Sequence, residues 1–180
     1  PTAITLFGNT INENLPAGTA IGNFLTTDED VLDVHTYSLV AGAGDVNNSS
    51  FFVSSTGELK SFQLFDYELE DTLYIRVQST DAGLLSTESS FMILVLNLNE
   101  APTDITLNTN SFNENLPIGT SVISLSSVDQ DANEVHTYSF NADQASDNAL
   151  FTMVGNSILT GALFNYEVNE FYTLRVSTQD

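Results

Sequence analysis

The sequence predicts an all-β protein made of two tandem Greek-key β-sandwich domains of the immunoglobulin-like kind. Three observations lead there: an internal repeat of about 100 residues, short stretches of period-two alternation separated by turn residues, and the absence of helical periodicity. The repeat is read first from Asn12-Glu13-Asn14-Leu15-Pro16-Ala17-Gly18-Thr19, which returns as Asn113-Glu114-Asn115-Leu116-Pro117-Ile118-Gly119-Thr120, 101 positions later. Asp28-Glu29-Asp30 and His35-Thr36-Tyr37-Ser38 return at the same offset as Asp129-Gln130-Asp131 and His136-Thr137-Tyr138-Ser139. The offset is 99 for Leu64-Phe65-Asp66-Tyr67-Glu68 against Leu163-Phe164-Asn165-Tyr166-Glu167, so two residues are assigned as lost in the loop between. Solenoid and propeller units repeat at roughly 20 to 50 residues, so this period marks whole domains. The expected boundaries are 1–99 and 100–180.

Within the first copy, strands are expected near residues 4–6, 20–25, 35–39, 51–53, 58–62, 73–79 and 91–98. The clearest is 73–79, where Leu73, Ile75, Val77 and Ser79 alternate with Tyr74, Arg76 and Gln78. Tyr172, Leu174, Val176 and Thr178 repeat it in the second copy. Pro16-Ala17-Gly18, residues 45–50 and Ser55-Thr56-Gly57 supply the turns. About seven short strands per 100 residues fit a sandwich. The join at 97–102 lacks a Gly/Ser run and reads as a joint that a ligand could stiffen, not as a flexible tether. Nothing after Asp180 matches residues 82–100, so the second copy is expected to lack its last strand and to present an edge open to pairing with another chain.

Twenty-four acidic residues against Lys60, Arg76 and Arg175 give a formal net charge of −21, which disfavours nucleic acid and anionic membranes as partners and favours cations. With 42% hydrophobic residues, twelve Phe and six Tyr, the acidity sits on folded domains and not on a disordered tail. No cysteine is present, which removes disulfides, thiolate metal sites and cysteine nucleophiles. No apolar run reaches 18 residues and no basic segment precedes an apolar one, so membrane insertion is not expected, and any export signal is expected elsewhere in a longer parent.

Most repeat-matched acids fall at turns or strand ends: Glu13, Asp28, Asp30, Asp66, Glu68, Asp81 and Glu100, then Glu114, Asp129, Asp131, Glu167 and Asp180. Those positions gather at the ends of a sandwich, where carboxylates repel by on the order of 4 kcal/mol per pair at 4 Å and an effective dielectric near 20. Calcium takes six to eight oxygen ligands from Asp, Glu, Asn and carbonyl groups, which this sequence offers in abundance. The alternative reading of the same acids is an acidic spacer whose turns are solvated without metal. His35 and His136 occupy equivalent positions a domain apart and read as structural hydrogen-bonding residues. Asp66 and Glu68 lie two residues apart on one segment, which suits sharing an ion better than flanking a glycosidic bond, and no enzyme is expected. Tyr67 and Tyr166 are expected to cover the sandwich end.

Taken together, these residues resemble the cadherin repeat, in the version found in long bacterial surface proteins, across essentially the whole chain. The x-E-N motif is matched by Glu13-Asn14 and Glu114-Asn115, L-D-R-E by Phe65-Asp66-Tyr67-Glu68, and D-x-D by Asp28 to Asp30 and Asp129 to Asp131. The long strand ending in Asp is matched by residues 172–180, and the D-x-N-D-N linker loosely by Asn97-Leu98-Asn99-Glu100-Ala101. The resemblance implies an inter-repeat joint holding two to three calcium ions through Glu13, Asp66, Glu68, Asn97, Asn99, Glu100, Asp129, Asp131 and Asp180. Asn97 stands where the family has its first linker Asp, and Asn165 where it has the Asp of L-D-R-E, which removes a charge at each position. Asp28, Asp30 and Asp81, and Glu114, Asn165 and Glu167, would belong to joints with further repeats.

The function implied is a calcium-rigidified extender or adhesion module of a large extracellular, cell-surface protein. Its partners would be calcium, neighbouring repeats, and a homophilic or strand-exchanged second chain. Calcium-dependent polysaccharide binding is the alternative; no aromatic platform with flanking polar groups stands out for it.

Overall fold

The computed structural model describes residues 1–30, 32–141 and 146–180. The chain forms two compact units, Pro1–Leu98 and Asn99–Asp180.

In unit 1 the strands are β1 (Ala3–Phe7), β2 (Thr10–Asn12), β3 (Ala20–Thr27), β4 (Thr36–Leu39), β5 (Phe51–Val53), β6 (Glu58–Ser61), β7 (Thr72–Thr80) and β8 (Ser86–Leu96), with a 3₁₀ turn at Asn48–Ser50. They make two four-stranded sheets, β1-β3-β6-β5 and β2-β8-β7-β4, antiparallel except where β2 runs parallel to β8. The alternation on β7 is the expected one: Leu73, Ile75, Val77 and Ser79 point into the core. Ile93 and Val95 of β8 join them, with Ile4, Ile11, Ile21, Phe24, Phe51, Leu59 and Phe65 filling the space between the sheets. Each fully buried aliphatic side chain contributes about 1.5 to 3 kcal/mol.

Two of these strands depart from expectation. β2 was not legible, because three residues paired parallel to the last strand leave no local pattern. β8 begins five residues earlier than expected, since its Ser- and Thr-rich first half is held by the ladder to β7 from Thr80↔Ser86 onward.

Unit 2 contains β9 (Asp104–Leu107), β10 (Ser121–Val128), β11 (Thr137–Phe140), a 3₁₀ turn at Asn148–Leu150, β12 (Phe151–Val154), β13 (Ser157–Thr160) and β14 (Val176–Gln179). The sheets are β12-β13-β10-β9 and β11-β14. The expected strand from Tyr172 starts only at Val176. The reason is visible in unit 1, where Thr72 to Arg76 of β7 pair with β8 while Val77 to Thr80 also pair with β4. Of these two pairings, the described residues of unit 2 form the one to β11, which covers Val176 to Gln179. Consistently, Tyr172, Leu174 and Val176 are half-buried where Leu73, Ile75 and Val77 are buried. A cleft of about 440 Å³ lies beside them, lined by Phe112, Phe151, Phe164 and Tyr172 among others.

The two-residue difference between the copies does not fall in one loop. Asn48 matches Asn148 at an offset of 100, each donating its side-chain amide to Val40 or Asn141 respectively. The second residue is lost at the β5–β6 turn, where Val154 extends β12 into the place of Ser54 and Ser55-Thr56-Gly57 is replaced by the two-residue turn Gly155-Asn156. A hairpin tolerates such a change because only its turn geometry must match the loop length.

Candidate metal centre

At one end of unit 1, the Glu13-Asn14 pair grips the turn that holds Asp66 and Glu68. Asn14 has φ of 59°, a left-handed conformation that Asn tolerates, and its N–H donates to Phe65 O at 3.0 Å. That conformation recurs at Asn115, which donates to Phe164 O at 3.0 Å. Glu13 is 1% exposed; its Oε2 accepts from Tyr67 N–H at 2.7 Å and its Oε1 from Leu98 N–H at 2.8 Å. Asp66 Oδ1 in turn accepts the N–H of Leu69 at 3.1 Å. One carboxylate oxygen from each of Glu13, Asp66 and Glu68 then lies within 4.8 Å of the others. Asn97 donates its amide to Glu68 Oε1 at 3.1 Å, so the linker residue expected to offer oxygen here offers nitrogen. Tyr67 packs against the core as expected, while its counterpart Tyr166 is exposed.

Unit 2 gathers the remaining candidates. Glu100 donates its backbone N–H to Asp131 Oδ2 at 2.7 Å, and Asn99 donates its amide to the Asp180 carboxylate. Asp131 N–H reaches Asp129 Oδ1 at 3.3 Å, and His136 Nε2 lies 2.8 Å from Asp129 Oδ2.

Glu134 is the residue that sequence reading missed. Its carboxylate meets Asp129 and His136 within 4.8 Å, and its Oε2 is buried without a hydrogen-bond partner among the described residues. Burial lifts its pKa above the usual carboxylate value, and the negative charges of Asp131, Asp180 and Asp129 lift it further, against a smaller lowering by His136. The available signal was the repeat itself, since Asp33 precedes His35 by the two residues that separate Glu134 from His136.

The first copy shows the same arrangement from the other end of the sequence. Asp28, Asp33 and Asp81 form a cluster, His35 Nε2 lies 2.8 Å from Asp28 Oδ2, and Asp30 N–H reaches Asp28 Oδ1 at 3.2 Å. The donor sets therefore suit a hard cation such as calcium: oxygens of carboxylates and amides, the buried Glu134 Oε2 without a hydrogen-bond partner among the described residues, and no thiolate.

No protein-family model matches the chain. The rat protein "Cadherin EGF LAG seven-pass G-type receptor 3" is 28% identical over 188 residues, covering 98% of this chain and 6% of the relative. Human "Protocadherin Fat 4" is 28% identical over 177 residues, covering 94% of this chain and 4% of the relative. The structure of human protocadherin-24 EC1-2 superposes with a TM-score of 0.75 at 23% identity, covering 98% of this chain and 86% of that one. Both units have the fold of cadherin domains. Protocadherin gamma B2 extracellular cadherin domains 3-6 share the fold with a TM-score of 0.69 at 18% identity, over 98% of this chain and 43% of that one. The cadherin-like sequence relatives are animal proteins, so the expected bacterial version finds no support in them. The chain spans about 4 to 6% of the length of these two curated relatives. Among the described residues no helix is long and apolar enough to cross a membrane.

Proposed function

We propose that this chain is a calcium-binding pair of cadherin-like repeats that serves as an extender or adhesion module of a larger extracellular protein. The observation behind this reading is the Glu13, Asp66 and Glu68 cluster, three carboxylates with oxygens within 4.8 Å of one another, of which Glu13 and Asp66 accept backbone N–H groups. Such an arrangement raises the energy of the metal-free state and favours a divalent cation. Glu13, Asp66 and Glu68 with Asn97 would supply the upstream ligands, and Asn99, Glu100, Asp129, Asp131 and Asp180 the downstream ones, Glu134 being an addition to that set. Seven of the nine originally expected ligands are carboxylates, so two to three calcium ions would neutralise most of their charge. Ions shared by both repeats bind only an aligned arrangement and therefore shift the population towards it, which converts binding energy into stiffness.

Calorimetric titration of residues 1–180 with calcium, paired with small-angle scattering before and after chelation, tests the reading. Two to three ions per chain and a loss of extension on chelation are expected. Zero stoichiometry at millimolar calcium would leave an acidic spacer.

A further inference from the structure

Building on the calcium reading above, we infer that His136 is a positioning residue that orients Asp129 to receive the cation, and that His35 does the same for Asp28. The side chain of Asp129 is 4% exposed and that of His136 is 14% exposed, with Nε2 and Oδ2 2.8 Å apart. An ionised carboxylate only accepts hydrogen bonds, so the proton lies on His136 Nε2 and is donated to Oδ2. The other oxygen, Oδ1, accepts from Asp131 N–H. With one donor on each oxygen, the plane of the carboxylate is fixed, yet each oxygen keeps a lone pair for a metal. The same two contacts recur in the first copy, at 2.8 Å from His35 and 3.2 Å from the Asp30 N–H.

The choice of imidazole matters chemically. Lys or Arg at this place would hold Asp129 equally well, but its permanent charge would compete with the cation; a neutral imidazole donates a hydrogen bond and leaves the negative charge in place. Outer-shell donors of this kind commonly change metal affinity by 10- to 100-fold when removed. Both histidines stand seven positions after the aspartate they contact, so the local loop and not the distant strands sets the contact.

The test compares the parent chain with His136→Leu and His136→Gln, measuring calcium affinity by calorimetry and melting temperature in chelator. Leu should weaken at least one calcium site by about 10-fold or more while the chelated melting temperature moves little. Gln, whose amide nitrogen can replace Nε2 as donor, should recover most of the affinity. In the chelated parent chain, nitrogen NMR should find His136 in the Nε2–H tautomer. Unchanged affinity in His136→Leu overturns this inference alone, as does a loss that Gln fails to rescue and that follows a drop in chelated stability. A parent chain that binds no calcium overturns it together with the calcium reading.

Discussion

The carboxylate of Glu13 accepts the backbone N–H of Leu98 across 85 residues of sequence, and its second oxygen accepts the N–H of Tyr67. One buried side chain thus ties the start of unit 1 to its final residues and to the turn that presents Asp66 and Glu68. Glu13→Gln places an NH2 group against one of those two donors. It should destabilise unit 1 by about 2 to 4 kcal/mol in chelator, before any loss of metal binding. Urea denaturation followed by circular dichroism reads this directly, and an unchanged midpoint would refute the structural role.

Glu68 sits in the same cluster but is exposed, and within the first unit it accepts the Asn97 amide. Glu68→Ala removes one of three crowded carboxylates without opening the core, so the melting temperature in chelator should stay the same or rise slightly. At calcium a hundredfold above its dissociation constant, binding contributes about 2.7 kcal/mol per site, and the calcium-dependent rise in melting temperature should fall by half or more. An identical calcium titration would remove Glu68 from the ligand set.

Glu134 makes the metal-free protein sensitive to pH. Its folded pKa is raised above the ordinary 4.5, so in the window from that value upward the folded state holds more protons than the unfolded one. Stability in chelator should accordingly fall as pH rises through the window, and it stays lowered above it. Glu134→Gln should be more stable than the parent at neutral pH and equal to it below the window. Parallel melting curves at every pH would contradict the assigned shift.

Unit 1 also depends on a close approach that unit 2 avoids. A Cβ on Gly22 would stand 2.1 Å from Gly8 O and 2.4 Å from Phe7 O, next to the register shift between Ala20 and Gly22. Gly8 has φ of 88°, and a Cβ there would stand 2.6 Å from Ile21 O. At the 101-residue offset the second copy has Thr109 and Ile123 instead, and Ile123 is part of its core. Gly22→Ile should cost about 3 kcal/mol or more, because backbone must move to admit the side chain. A thermal scan showing wild-type melting for this variant would disprove the clash.

Much of this was legible in the sequence. The alternation at 73–79 reproduces the burial on β7, because the pleat turns successive side chains to opposite faces whatever the partner strand. The glutamates, aspartates and histidines at matched offsets also announced themselves, since two copies of one module record which polar residues the module needs. Glu134 escaped notice because Asp33 differs from it in type and because nothing local says that a loop carboxylate will have an oxygen buried among three others.

By itself, then, the order of residues determined the all-β class, the tandem duplication and which acidic residues recur in both copies, all of which rest on local periodicity and on self-comparison. The folded chain alone decided that Glu13 holds backbone at both residue 67 and residue 98, that Asn97 turns its nitrogen to Glu68, and that Val176 to Gln179 pair with β11. Those outcomes depend on which segments meet across dozens of residues, and hydrogen bonds and strand pairing are satisfied between such segments and not within them.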